Sequence, residues 1–223
     1  MSARRAALAE GWPVLLSAFV VGVPFGIVAR QAGLAPIEIV GMSVFVFAGA
    51  SQFVMVQLLS DGAAVPLIVA TVFLVNFRHA LMSATLRPFL GTLPVLRRLA
   101  AAYFLTDEAF AMTIGWIRRG RREVSYYVTF GIALFVVWNL ATVIGLTIGP
   151  VIGEPRRFGI DFAITATFIA IVALGLRHRA DAVVALVALV LSAGVALAGV
   201  SVVAVVAAGL VAPLAVLVLG EEQ

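Results

Sequence analysis

Near its C-terminus the chain carries 38 consecutive residues, 182–219, without one charged side chain. As a single helix this tract would run about 57 Å, nearly twice the ~30 Å hydrocarbon core of a bilayer. It therefore reads as two membrane spans with a turn near Gly199. Upstream, apolar runs alternate with short charged gaps and give spans near residues 14–29, 37–59, 64–86, 99–117, 124–151 and 159–176. The expected fold is an all-α, polytopic transmembrane helical bundle of six to eight spans, forming one integral-membrane domain over residues 1–223. A water-soluble enzyme or binding module is excluded: a chain 63% hydrophobic and only 12% charged would leave large apolar patches in water.

The net charge of +4 comes from arginines clustered in the gaps between runs. That placement fits membrane orientation, with the bilayer and not nucleic acid as the partner. With eight spans and the N-terminus inside, Arg4, Arg5, Arg118, Arg119, Arg121, Arg122, Arg177 and Arg179 fall inside. Arg30, Arg87, Arg97, Arg98, Arg156 and Arg157 fall outside, so the bias is weak. There is no cysteine, and His79 and His178 are the only histidines, so neither a metal site nor a cofactor is expected. Residues 1–13 read as a short polar leader before a first span that stays in the protein.

Small residues recur at the spacing that lets helix backbones approach: Gly22 and Gly26, Gly145 and Gly149, Gly149 and Gly153. The glycines at 26–33 and 145–153 also leave room for an internal repeat of the kind transporters use.

The informative residues are polar ones at expected mid-membrane depth. Asn76, Arg78 and His79 fall at the centre of the run 64–86, and Thr106, Asp107 and Glu108 at the centre of 99–117. Asn139 lies near the middle of 124–151, and Ser51 and Gln52 end a small-residue string within 37–59. Each charge at the centre of a helix costs about 2.5–3.5 kcal/mol on insertion scales, so these groups must face protein or water and pair. A structural Arg–carboxylate pair is the plain alternative to a functional site, although such a pair is a poor source of stability. A carboxylate with a raised pKa at this depth suits a proton relay, and His79 could serve likewise near neutral pH. Asn76 and His79 share a helix face from which Arg78 diverges. The string Phe47-Ala-Gly-Ala-Ser-Gln-Phe53 suits a broken helix or a close backbone approach. Asp161 reads as a helix-start residue and ranks below the others.

These motifs resemble the AzlC-type large subunit of branched-chain amino-acid exporters. The matching segments are Gly22-Val-Pro-Phe-Gly26, FAGASQF at 47–53, NFRHALMSATL at 76–86, LTDEAFA at 105–111 and GIDFA at 159–163. The resemblance implies a multi-pass permease of the plasma (cell inner) membrane that exports valine, leucine, isoleucine and in some members methionine. It also implies a short hydrophobic AzlD-type partner subunit and a proton gradient as the driving force.

The residues fit such a substrate independently. Arg78 or the amides of FAGASQF suit its carboxylate, and Asp107 or Glu108 its ammonium. An apolar pocket distinguishes one methylene by only about 1–3 kcal/mol, so mixed specificity is expected. The competing classes are an ion channel, a purely structural membrane subunit, and an intramembrane serine protease with Ser51 as nucleophile and His79 as base.

Overall fold

In a computed structural model, residues 1–91, 93–151 and 179–197 are described; the segments matching spans 159–176 and the end of 182–219, with GIDFA, Asp161 and Gly199, lie outside them. Among the described residues the regular structure is helical, joined by short turns, without a strand. The chain divides into two compact units, 1–164 and 165–223. The first holds α1 (Ala3–Gln31), α2 (Pro36–Gly41), α3 (Gly49–Ser60), α4 (Val65–Asn76), α5 (Arg78–Leu90), α6 (Val95–Tyr103), α7 (Asp107–Arg118) and α8 (Val124–Ile148). The second holds the apolar helix α9 (Arg179–Leu197). Among the described residues, three helical stretches are long and apolar enough to cross a membrane: Ala3–Gln31, Val65–Leu90, which counts α4 and α5 together across Phe77, and Val124–Val151.

The frame of the first unit is the pair α1 and α8. Gly11 lies against Phe130, Gly22 against Ala141, and Gly26 against Gly145, a constant offset of 119 residues. A constant positive offset means that the two helices run parallel. They approach closely because glycine removes the side chains that would hold them apart. A Cβ added at Gly22 would come 2.8 Å from the Ala141 Cβ, and one at Gly26 would come 2.7 Å from the Leu146 amide nitrogen. The Gly22–Gly26 and Gly145–Gly149 spacings thus serve one shared seam.

The N-terminal ends of both helices are tied to the end of α7. Arg119 bridges Glu10 at 2.6 Å, Tyr126 donates to the same carboxylate at 3.0 Å, and Trp116 stacks on Tyr126 at 4.2 Å. The Glu10 carboxylate raises the Arg119 guanidinium further above its ordinary value. Arg4, Arg5, Arg118, Arg121 and Arg122 are close in sequence to this junction, so one end of the frame gathers six arginines. The first helix begins at Ala3, eleven residues before the apolar run expected to start it. The polar leader is therefore the first turns of α1, where Glu10 has work as an anchor.

Three of the expected spans are broken. The run 37–59 is not one α-helix: α2 passes into a π-helical stretch, Met42–Val46, and Phe47 then takes a left-handed conformation (φ 42°) before α3 starts. A left-handed non-glycine residue costs roughly 1–2 kcal/mol. Packing holds it there, since the Phe47 ring is buried edge-on to Phe135 at 5.1 Å and beside Tyr103 at 6.2 Å. The run 64–86 is interrupted at Phe77, between α4 and α5, by one tightened turn whose backbone stays right-handed (φ −56°, ψ −27°), and 99–117 breaks at Phe104–Thr106, between α6 and α7. Phe104 packs on Phe135 as well, and fits against Gly131, where a Cβ would come 2.7 Å from its own. Two breaks therefore converge on the middle of α8.

Candidate functional site

Breaks matter because each exposes helix ends whose amides and carbonyls have no partner within the helix. At the first break, Gly49 lets the start of α3 lie against the Trp138 indole, which a Cβ would approach to 2.9 Å. The hydroxyl of Tyr103 donates to the carbonyl of Val44 in the π-helical stretch, joining α6 to that break. From the first turn of α3, Ser51 donates to Asn76 Oδ1 at 2.5 Å. Asn76 ends α4, and its carbonyl accepts from His79 Nδ1 at 3.0 Å. A carbonyl only accepts, so the proton of a neutral His79 sits on Nδ1 and Nε2 keeps its lone pair.

Arg78 starts α5 and Asp107 starts α7, and the two meet at 2.8 Å with a third and a half of their side chains exposed. Placing Asp107 and Glu108 within a continuous span is corrected by the break: they occupy the first turn of α7, where the helix dipole favours negative charge. Thr106 caps that turn, its hydroxyl oxygen accepting from the Ala109 amide at 3.2 Å. Glu108 is exposed and makes no ion pair or hydrogen bond among the described residues. The Arg78 Nε is buried and has no partner there, so the guanidinium keeps a spare donor.

Gln52 turns the other way, toward α8. Its Nε2 donates to Ser43 Oγ at 3.0 Å, and Ser43 contacts Thr142 Oγ1 at 2.9 Å. Thr142 spends its own proton on the Trp138 carbonyl at 2.9 Å. Ser43 must therefore donate to Thr142, and the polarity of the whole chain is fixed, Gln52 to Ser43 to Thr142 to Trp138. All three side chains are fully buried, and the Gln52 Oε1 is left without a donor. Asn139 donates to the Phe135 carbonyl at 2.9 Å and reaches the Ser43 carbonyl at 3.5 Å.

The nine sequence candidates thus fall into groups. Ser51, Asn76 and His79 form one, and Arg78 with Asp107 forms a second across the break that Thr106 caps. Gln52 and Asn139 belong to the buried network around Ser43, and Glu108 stands apart. The Ser51 proton is committed to Asn76, and no hydrogen bond joins Ser51 to His79. Sequence reasoning missed Ser43, Thr142 and Tyr103. A lone hydroxyl in an apolar run commonly bonds back to its own helix, so nothing distinguished them. Among the described residues, no group of three His, Cys, Asp or Glu comes together to hold a metal ion.

Comparison with known proteins places this arrangement. The family model described as AzlC protein matches residues 13–152, from within α1 to just past the end of α8, with every residue of the site. The chain belongs to the AzlC family. It is 33% identical to the inner membrane protein YgaZ of Escherichia coli over 61% of this chain, and spans 57% of that relative's length. A membrane protein of Archaeoglobus fulgidus is 27% identical over 78% of this chain and 77% of its own. A membrane protein of Helicobacter pylori strain J99 is 30% identical over 70% of this chain and 68% of its own. No solved structure matches the chain. This AzlC-family chain is an all-α membrane protein.

Proposed function

We propose that the chain is the large subunit of an exporter of branched-chain amino acids such as valine, leucine and isoleucine, with methionine as a further substrate. The observation that carries this reading is the Arg78–Asp107 pair, held between two helix starts at breaks in the membrane-spanning runs. A zwitterion offers a carboxylate to Arg78, which has a spare donor, and an ammonium to Asp107. Binding would exchange one internal ion pair for two pairs with substrate and so uncouple α5 from α7. A carrier needs that kind of differential contact to move between states. Asn76 also lines an apolar cleft of about 560 Å³ between α3 and α4, walled by Met55, Leu59, Ile68, Val69 and Val72. Such walls suit an aliphatic side chain and discriminate weakly among branched ones.

Asp107 is the group assigned to proton coupling, because protonation releases Arg78 as substrate binding does. The whole chain, 1–223, acts in this reading as one transporter domain of the plasma membrane, working with a small AzlD-type membrane subunit. It performs transport and no bond chemistry. The experiment is valine efflux from cells preloaded with a valine-containing dipeptide, expressing the chain with a candidate partner. Faster efflux that Asp107→Asn abolishes at equal membrane abundance is the expected result. Efflux equal to that of empty cells, with both proteins present, overturns the assignment.

A further inference from the structure

An open groove of about 600 Å³ lies between α5 and α6; Leu90 and Leu105 form its buried floor, and Ala80, Ser83, Ala84, Arg87, Arg98 and Ala102 line it as exposed residues. Its origin is legible in the spacing. Positions 80, 83, 84, 87 and 90 form one face of α5, and 98, 102 and 105 continue one face of α6. Where these faces meet, four of the eight residues are alanine or serine, too small to fill the space between the helices. Arg87, in the last turn of α5, and Arg98, in the first turn of α6, mark the end next to the turn joining the helices. Ala80 and Leu105 mark the other end, two residues from Arg78 and from Asp107. The groove spans about 15 Å along α5.

The charge of this groove is one-sided. Two guanidinium groups share it, no carboxylate lines it, and neither guanidinium has an ion pair or hydrogen bond among the described residues. Orienting Arg87 near the last carbonyls of α5 favours one cation there. It gives no reason for Arg98 to share the same space. Two like charges on one open groove attract anions to it, with focusing limited to the side of the buried floor. Apart from Ser83 the rest of the lining is alanine and leucine, which suits a compact hydrocarbon group.

We propose that this groove is a vestibule for small aliphatic monocarboxylates, in which Arg87 and Arg98 hold the carboxylate and pass it toward Arg78. Only the last step, delivery of a transported amino acid, rests on the exporter reading. Binding to the vestibule stands apart from it.

The test uses the full chain in nanodiscs of neutral phosphatidylcholine, with phenylglyoxal modification of Arg87 and Arg98 followed by peptide mass spectrometry. Isovalerate should slow modification of both arginines, whereas isovaleramide, its neutral counterpart, should leave the rate unchanged. Arg98→Gln should weaken the protection of Arg87. In cells, Arg87→Gln and Arg98→Gln should each raise the KM for valine efflux about three- to tenfold, with a smaller effect on maximal rate. Equal effects of acid and amide overturn the proposal. So does protection that appears only when phosphatidylglycerol replaces the neutral lipid, since the site then serves a lipid headgroup. Protection by isovalerate in a protein that exports no valine keeps the vestibule and removes the exporter reading. Valine export without protection does the reverse.

Discussion

Replacing Gly26 by alanine tests the frame that places the site. The new Cβ would meet backbone on α8: the Leu146 nitrogen at 2.7 Å, the Gly145 carbonyl carbon at 3.0 Å, and the Thr142 carbonyl oxygen closer still. Backbone atoms inside a helix cannot swing aside as a side chain does. Restoring ordinary contact, about 3.5 Å between heavy atoms, at the closest of these, the Thr142 oxygen, requires α1 and α8 to separate by about 1.2 Å. That movement also loosens the contacts of Gly22 with Ala141 and of Gly145 with Val23. Overpacking of this kind costs about 1–3 kcal/mol, and a clash with rigid backbone belongs at the upper end. Alanine returns up to about 1 kcal/mol as the better helix former, so the net loss should be about 2 kcal/mol. Gly41 supplies the control: it is helical (φ −57°), and a Cβ there would have nothing within 4 Å. Gly41→Ala should be neutral or slightly stabilising. Unfolding of the purified variants in mixed micelles, followed by tryptophan fluorescence against increasing SDS, reads both. If Gly26→Ala proves as stable as Gly41→Ala, α1 and α8 are not packed in this register. A second check is Gly145→Ala, whose effect should not add to that of Gly26→Ala, because both open the same seam.

Asp107→Asn should cut valine efflux at least tenfold while membrane abundance holds, and the exchanged pair Arg78→Asp with Asp107→Arg should keep that abundance without recovering efflux; full recovery of efflux by the exchange would make the pair a clamp only. Tyr127→Phe removes a buried hydroxyl that donates to the Ala101 carbonyl at 2.7 Å, and should cost about 1–2 kcal/mol in the same unfolding assay. Glu10→Gln loses a bridge to Arg119 whose partners are a third to a half exposed, so its cost should stay below about 1 kcal/mol. A loss near 3 kcal/mol would mean that this junction is shielded from water.

Much of this architecture can be seen in the sequence, and its limits have physical causes. Glycine spacing reveals that α1 and α8 pack closely, because close approach demands the missing side chain. It cannot reveal that they pack on each other, since any helix with a small face is a candidate. FAGASQF signals an interruption through its run of small residues, and α3 does begin inside it. The break at Phe77 carries no glycine or proline, and Phe77 keeps right-handed helical angles (φ −56°, ψ −27°), so nothing local marks it. Thr106-Asp107-Glu108 holds a local signal, a capping hydroxyl with two acids in the first turn, but an apolar run on both sides masks it. Ser43 and Thr142, 99 residues apart, meet only through the tertiary fold.

The offset of 119 residues between α1 and α8 also sets a schedule. At a synthesis rate of about 5–20 residues per second, the glycine face of α1 waits roughly 6–24 s before its partner leaves the ribosome. The interrupted helices, α2 to α7, are made in that interval, and their open ends meet Phe135 and Trp138 only when α8 arrives. A growing chain of this kind therefore carries unfinished business in the membrane until α8 is made, and anything that delays α8 prolongs the time in which quality-control proteases can find it.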